Sequence, residues 1–182
     1  AMILSTGAAF SSNIQTLVQK TKFVVEMIGL PKLVDSTRDA LCDIESGVWG
    51  VDNDDNIIDF GLTSALAISS LKVDITKGMR IIYTVGALTD KLLKLVSDSK
   101  NIRNVTLVVK DFTKIFVSET AYRVFCNRGG KIMVLQKSKL IAVCVNPTAP
   151  NGYVLDSDIL CRKLEEALKL PVYDIVKNNY DI

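Results

Sequence analysis

The sequence contains no histidine in its 182 residues. Histidine is the most frequent general base, the usual partner of a nucleophilic serine or cysteine, and the commonest metal ligand. Its absence therefore removes the Ser-His, Cys-His and histidine-metal mechanisms. Carboxylates, lysine, tyrosine, cysteine, hydroxyls and backbone amides remain as possible chemistry.

Cysteine is scarce and is not clustered. The four cysteines are widely spaced and none belongs to a CxxC pair; they are Cys42, Cys126, Cys144 and Cys161. A zinc site needs closely spaced cysteines or a cysteine-histidine set. We therefore predict buried free thiols and no metal site.

Long apolar runs and basic blocks are also missing. The run at residues 140–145 has only the length of a strand, whereas a membrane span needs about 20 apolar residues. The N-terminus lacks the basic segment of a secretory signal, and the net charge of +2 comes from Lys and Arg scattered among acids. These features predict a cytoplasmic location with no membrane and no nucleic acid among the partners.

The composition that is present is that of a globular protein, with 48% hydrophobic and 23% charged residues. A chain of 182 residues makes one domain or two small ones. A chain of this size buries about 70% of the surface that its unfolded form exposes. It needs no disulfide or metal to fold.

Strands and helices alternate along the chain. An apolar run at residues 2–5 predicts an opening strand, and apolar spacing predicts a helix over residues 12–28, capped by Ser11 or Ser12 and stopped by Gly29 and Pro31. Further strands are predicted at 80–85, 104–111, 131–136, 140–147 and 172–176, and helices after the caps Thr89 or Asp90, Ser118, and Asp156 or Ser157. A strand that opens the chain alone suggests a C-terminal fragment of a longer protein.

This alternation predicts an α/β fold of three layers, with a mostly parallel, Rossmann-like sheet flanked by helices. A β-hairpin forms an insertion or part of a small N-terminal α+β subdomain. The predicted division is residues 1–76 for the N-terminal helix and hairpin region and 77–182 for the Rossmann-like domain.

The string DNDDN at residues 52–56 lies between two β-rich runs. A calcium-binding EF-hand loop that began at Asp52 would need glycine at its sixth position and glutamate at its twelfth. The sequence has Ile57 and Thr63 there. Asn and Asp favour hairpin turns, so a hairpin tip is the preferred interpretation and a cation site is the alternative.

Candidate site residues follow the predicted strands, because ligands of open α/β sheets bind outside the carboxyl ends of the strands. The candidates for ligand binding are Gly86, Thr89, Asp90, Lys110, Asp111, Thr113, Asn146 and Thr148. Backbone amides at residues 86–90 could hold an anion, Lys110 could neutralise it, and Asp111 could orient a hydroxyl or a metal. The stiff loop after residue 145 could hold a binding edge. Turn formation and helix capping are the structural alternatives.

Three functions remain open. The first is a non-catalytic ligand-binding or regulatory domain of a larger protein, whose partner is a small anionic ligand or a neighbouring domain. The second is an enzyme on a small anionic or nucleotide-like substrate, with Lys110 as electrostatic clamp and Asp111 or Asp90 as acid, base or metal ligand. The third is homodimerisation through the hairpin that carries Trp49. No motif identifies a cofactor.

Overall fold

The computed structural model describes residues 2–7, 13–33, 47–54, 56–59, 80–98 and 102–177. The chain divides into two compact units. The terminal unit comprises residues 1–29 and 138–182, and the central unit comprises residues 30–137. The predicted boundary between residues 76 and 77 lies outside the described residues and stays a prediction.

The described elements alternate as the sequence predicts. In chain order they are β1 (Met2–Gly7), α1 (Ile14–Ile28), β2 (Gly47–Val51), β3 (Ile57–Asp59), β4 (Arg80–Thr84), β5 (Leu88–Thr89), α2 (Asp90–Ser97), β6 (Val105–Val109), β7 (Ile115–Phe116), α3 (Glu119–Asn127), β8 (Lys131–Val134), β9 (Leu140–Asn146), α4 (Ser157–Leu168) and β10 (Val172–Asp174). Short 3-10 turns precede β6 and β7. Among the described helices, none combines the length and the hydropathy that a membrane span requires.

The terminal unit contains a parallel sheet with the strand order β1-β9-β10. Its two helices pack on the same side of the sheet, because one apolar cluster includes residues of α1, β9 and α4. The buried members of this cluster are Leu17, Val18, Val143, Val145, Ala149, Leu155, Leu160, Leu164 and Val172. The apolar spacing of both helices therefore reflects one shared core.

Helix α1 begins later than predicted. Asn13, and neither Ser11 nor Ser12, caps it, since the Oδ1 atom of Asn13 accepts hydrogen bonds from the N–H groups of Gln15 at 2.7 Å and Thr16 at 3.3 Å. Asparagine caps helices as well as serine does, so composition alone cannot choose between neighbouring candidates. The predicted end at Gly29 is confirmed.

The central unit has a mixed sheet with the strand order β3-β2-β4-β6-β8. Strands β4, β6 and β8 are parallel, and the hairpin β2-β3 adds antiparallel to β4. One buried cluster includes Leu33, Trp49, Val51, Ile82, Val108 and Leu135. The predicted α/β class with parallel sheets and flanking helices is thus confirmed, but the described strands form separate sheets.

The DNDDN string turns the hairpin. The Oδ1 atom of Asp52 accepts from the N–H groups of Asp54 and Asn56, both at 2.9 Å, and the Asn56 side chain donates to Oδ2 of Asp52 at 2.9 Å. The hydrogen bond from the Asn56 side chain is the largest cause that lowers the pKa of Asp52. The hairpin prediction is confirmed by the antiparallel pairing of β2 with β3.

Thr84, at the end of β4, has a buried hydroxyl without a partner. The residue is 2% exposed, and its Oγ1 atom is the one buried side-chain polar atom, among those of the described residues, that makes no hydrogen bond. A buried polar group without a partner destabilises a protein by about 1–3 kcal/mol.

We expect Thr84→Val to stabilise the protein by about 1 kcal/mol, because valine keeps the shape and removes the orphaned hydroxyl. Urea unfolding with an unchanged m-value measures this effect. Thr106→Val, on the neighbouring strand and only half-buried, is the matched control and should change stability less. A loss of stability in Thr84→Val would show that the hydroxyl has a partner.

Candidate functional site

Helices α2 and α3 of the central unit begin side by side because the short strands before them are paired. Strands β5 and β7 are parallel, with Leu88 paired to Ile115 and Thr89 paired to Phe116. Helix α2 follows β5 directly, and α3 begins after the cap Ser118. The two helices therefore run in the same direction next to each other.

A first clamp joins the N-terminal ends of these helices. The Oδ1 atom of Asp90 accepts a hydrogen bond from the backbone N–H of Ser118 at 2.7 Å. Each helix also has its own cap, since Thr89 Oγ1 accepts from Leu92 N at 3.4 Å and Ser118 Oγ accepts from Ala121 N at 3.2 Å. The first turns of α2 and α3 are thus fixed by side chains.

A second clamp joins the C-terminal ends. The guanidinium of Arg128 donates from Nη1 to the backbone oxygen of Ser97 at 2.8 Å and to Oδ1 of Asp98 at 3.4 Å. Both residues of the ion pair are about half exposed or more, at 52% for Arg128 and 66% for Asp98. The ion pair is therefore weak, but the hydrogen bond to Ser97 also ties α3 to the last turn of α2.

A cavity of about 410 Å³ lies between the two clamps. The residues that line it are Asp90, Lys94, Ser97 and Asp98 on the side of α2, and Ser118, Thr120, Ala121, Val124 and Arg128 on the side of α3. This volume falls in the range of about 300–1,000 Å³ that small-molecule sites occupy. We call this cavity the α2-α3 cleft.

The α2-α3 cleft contains one cation that has no partner in the described part of the chain. Lys94 is exposed and its ammonium group makes no hydrogen bond or ion pair there, whereas the guanidinium of Arg128 is committed to the second clamp. The hydroxyl of Thr120 and the apolar side chains of Ala121 and Val124 complete the wall opposite Lys94. An ammonium group, a hydroxyl and an apolar surface can together bind a small ligand that carries an anionic group.

No family model, curated protein or solved structure matches this chain. The chemistry of the α2-α3 cleft is therefore the basis for a functional proposal. Within the described residues, no group of three or more Cys, Asp or Glu side chains is placed to hold a metal ion.

Three of the eight predicted site residues, Gly86, Thr89 and Asp90, lie just before α2 or at its first position. Asp90 lines the cleft, and Thr89 caps the helix. Gly86 is exposed, and a Cβ atom at this position would have nothing within 4 Å. Packing therefore does not require glycine at position 86, and its role in binding an anion stays a prediction.

The three predicted residues after β6 form a local turn. The Oδ1 atom of Asp111 accepts from the N–H of Thr113 at 2.8 Å and from its hydroxyl at 2.5 Å. Asp111 thereby caps the 3-10 turn Phe112–Lys114. Lys110 is exposed, and its backbone oxygen accepts from Gln136 N at 2.8 Å. Turn formation by Asp111, with Lys110 exposed to solvent, is the structural alternative to ligand binding that the sequence left open.

The last two predicted residues belong to the terminal unit, whereas the other six belong to the central unit. The Oδ1 atom of Asn146 accepts from Thr148 N at 2.9 Å. The loop then closes on itself, with Ala149 N donating to Tyr153 O at 2.8 Å and Leu155 N donating to Pro147 O at 3.0 Å. Asn146 and Thr148 therefore shape the chain reversal between β9 and α4.

Sequence reasoning missed most residues of the α2-α3 cleft. Lys94 and Thr120 lie on helices and Arg128 caps the end of α3, whereas the predicted site residues follow the strand ends. No single-helix pattern indicates the cleft, because it arises from the pairing of two-residue strands that bring α2 and α3 together. Asp90 was found because it follows the strand predicted at residues 80–85 and also begins α2.

The terminal unit contains a second polar cluster, around Asp174. This residue is 6% exposed and accepts hydrogen bonds from the Ser157 hydroxyl and from the N–H groups of Val176 at 2.7 Å and Lys177 at 3.2 Å. Burial alone would raise the pKa of Asp174, but these hydrogen bonds and the charge of Lys177 outweigh burial and lower it. The carboxylate thus fastens the end of β10 to the start of α4.

The remaining groups near Asp174 are structural as well. Lys177 pairs with Asp158 at 2.8 Å in an exposed ion pair. Burial raises the pKa of the Cys161 thiol, so this cysteine is a poor nucleophile. The cysteines Cys126, Cys144 and Cys161 are free, as predicted, but they are half-buried rather than buried, and Cys42 lies outside the described residues.

Proposed function

We propose that the central unit is a non-catalytic ligand-binding module that takes a small ligand with an anionic group in the α2-α3 cleft. The observation that carries this proposal is the cavity of about 410 Å³ in which Lys94 has no partner between two clamps. The anionic group would pair with Lys94 and accept a hydrogen bond from Thr120. Ala121 and Val124 would contact the apolar part of the ligand.

The two clamps favour binding because they hold both walls before the ligand arrives. Asp90 fixes the first turn of α3 through Ser118, and Arg128 fixes the last turn of α2 through Ser97. A site that is already ordered loses less conformational entropy on binding.

The same clamps favour binding over catalysis. One oxygen of Asp90 is committed to Ser118 N, Asp98 faces Arg128, and the Ser118 hydroxyl caps α3. A catalytic nucleophile needs a base within hydrogen-bond reach, and neither clamp supplies such a pair. The enzyme alternative, with Lys110 and Asp111, stays a prediction that the first measurement of ligand turnover would test.

Lys94→Gln is expected to weaken the binding of an anionic ligand by about tenfold, which corresponds to about 1.4 kcal/mol. The assay is titration of the whole chain, followed by NMR, with inorganic phosphate, nucleoside monophosphates and small carboxylic acids. Lys91→Gln is the matched control, because Lys91 is exposed on the same helix and does not line the cleft.

Three results would contradict the proposal. The first is that no compound perturbs the signals of Lys94 and Thr120, and the second is that Lys91→Gln weakens binding as much as Lys94→Gln. The third is conversion of the ligand during the titration, which would favour the enzyme alternative. Binding without conversion that depends on Lys94 would support the non-catalytic module.

The hairpin alternative has less support. Trp49 is 5% exposed and packs in the core of its own unit with Val51, Ile82 and Val108, so its ring is not offered to a second copy. Formation of homo-oligomers, a neighbouring domain as partner and a cytoplasmic location remain predictions.

We also propose that the fold belongs to the three-layer, Rossmann-like class. The succession of parallel strands β4, β6 and β8 with α2 and α3 between them supports this assignment. A crystal structure with helices on both faces of the sheet of the central unit would agree with it. A second face without helices would contradict it.

A further inference from the structure

We infer that the ligand of the α2-α3 cleft is zwitterionic and has the chemistry of a free amino acid. Its carboxylate would bind Lys94 and its ammonium group would bind Asp90. This inference rests on the proposed function and adds to it the second charge of the ligand.

The first observation is an ion pair that does not form. Asp90 and Lys94 are four residues apart on α2, with the acid nearer the N-terminus, which is the arrangement that favours a salt bridge on a helix. Both residues line the cleft. No hydrogen bond or ion pair joins their side chains. The Asp90 carboxylate accepts from Ser118 N, and the Lys94 ammonium has no partner among the described residues.

The second observation is the free oxygen of Asp90. The first clamp uses Oδ1 of this carboxylate, and Oδ2 has no partner among the described residues. The cleft therefore holds one anionic acceptor and one ammonium donor that a ligand can satisfy. Four residues correspond to a rise of about 6 Å along the helix, and the flexible Lys94 side chain can shorten this distance to the span of one small molecule.

The third observation is the charge balance of the cleft. Two cations, Lys94 and Arg128, are matched by two anions, Asp90 and Asp98. A ligand with a large net negative charge would be attracted by Lys94 but repelled by the free oxygen of Asp90. A zwitterion complements both charges. Val124, which is 47% exposed, leaves an apolar surface for an aliphatic side chain.

The experiment compares matched ligands on the whole chain by calorimetry. The probes are L-leucine, the carboxylic acid with the same carbon skeleton but without the amino group, and the corresponding amine without the carboxylate. We expect L-leucine to bind at least tenfold more tightly than either analogue.

Asp90→Asn tests the role of the second charge. The amide oxygen can still accept the hydrogen bond from Ser118 N, so the first clamp is kept while the negative charge is removed. We expect the affinity for L-leucine to fall at least tenfold and the affinity for the carboxylic acid to stay equal or rise. Glu119→Gln is the matched control, because Glu119 is on α3 outside the cleft and pairs with Arg123.

The outcomes separate this inference from the proposed function. If the carboxylic acid or phosphate binds in dependence on Lys94 while L-leucine binds no better and Asp90→Asn has no effect, the zwitterion inference fails and the anion-binding module stands. If no probe binds, both fail. Loss of L-leucine binding in Asp90→Asn and in Lys94→Gln, with the Glu119→Gln control intact, supports both.

Discussion

Replacing Gly130 with alanine is expected to destabilise the central unit by about 3 kcal/mol, the upper end of what overpacking of a core usually causes. A Cβ atom at this position would lie 2.3 Å from Cζ of Phe125 and 2.5 Å from Cε1. Phe125 is fully buried, so its ring can move away only by displacing its neighbours in the core.

The position of Gly130 follows from the way in which α3 ends. Gly129 adopts a φ of 95°, the left-handed conformation that glycine tolerates best. Its N–H donates to Cys126 O at 2.9 Å, and the N–H of Gly130 donates to Phe125 O at 3.1 Å. These two hydrogen bonds form a Schellman motif, which turns the backbone of Gly130 back over the ring of Phe125.

Urea unfolding monitored by circular dichroism measures this effect. Gly86→Ala is the matched control, because a Cβ atom there meets nothing within 4 Å, and we expect a change below about 1 kcal/mol. If Gly130→Ala were as stable as the parent chain, the packing of Phe125 against Gly130 would be disproved. If both variants lost the same stability, the loss would not be specific to the contact between residue 130 and Phe125.

Local chemistry made several elements predictable from the sequence. The string DNDDN indicated a hairpin and Ser118 indicated a helix cap, and each was found as predicted. Such features depend on residues within one or two turns of each other. Their hydrogen bonds join residues that are close in the sequence, so they do not depend on how distant strands pair.

Strand pairing was not predictable in the same way. The opening strand β1 pairs with β9, which lies far along the chain, and not with β4. Yet β1 and β4 look alike in the sequence, because each is an apolar strand that precedes a helix. The alternation of strands and helices is compatible with several pairings. It therefore indicated parallel strands but not the division of the described strands among three sheets. The α2-α3 cleft depends on such a pairing, that of β5 with β7, and was therefore missed.

Asp174→Ala is expected to destabilise the terminal unit by about 3 kcal/mol, because it leaves a hydroxyl and two backbone N–H groups without their acceptor. Asp174 is 6% exposed, and its carboxylate accepts from the Ser157 hydroxyl, Val176 N and Lys177 N. Thermal and urea unfolding measure the loss. Asp158→Ala, which removes an exposed ion pair with Lys177, is the control and should cost less than about 1 kcal/mol.

The dependence on pH distinguishes the charge of Asp174 from its shape. Because the pKa of Asp174 is lowered in the folded protein, its contribution is complete above the pKa of the unfolded chain, about 3.9, and is lost as the pH falls through the folded pKa. The stability difference between the parent chain and Asp174→Asn should therefore be largest near neutral pH and shrink in acid. A difference that stayed constant between neutral pH and acid would mean that Asp174 acts as a hydrogen-bonding group whose charge does not contribute.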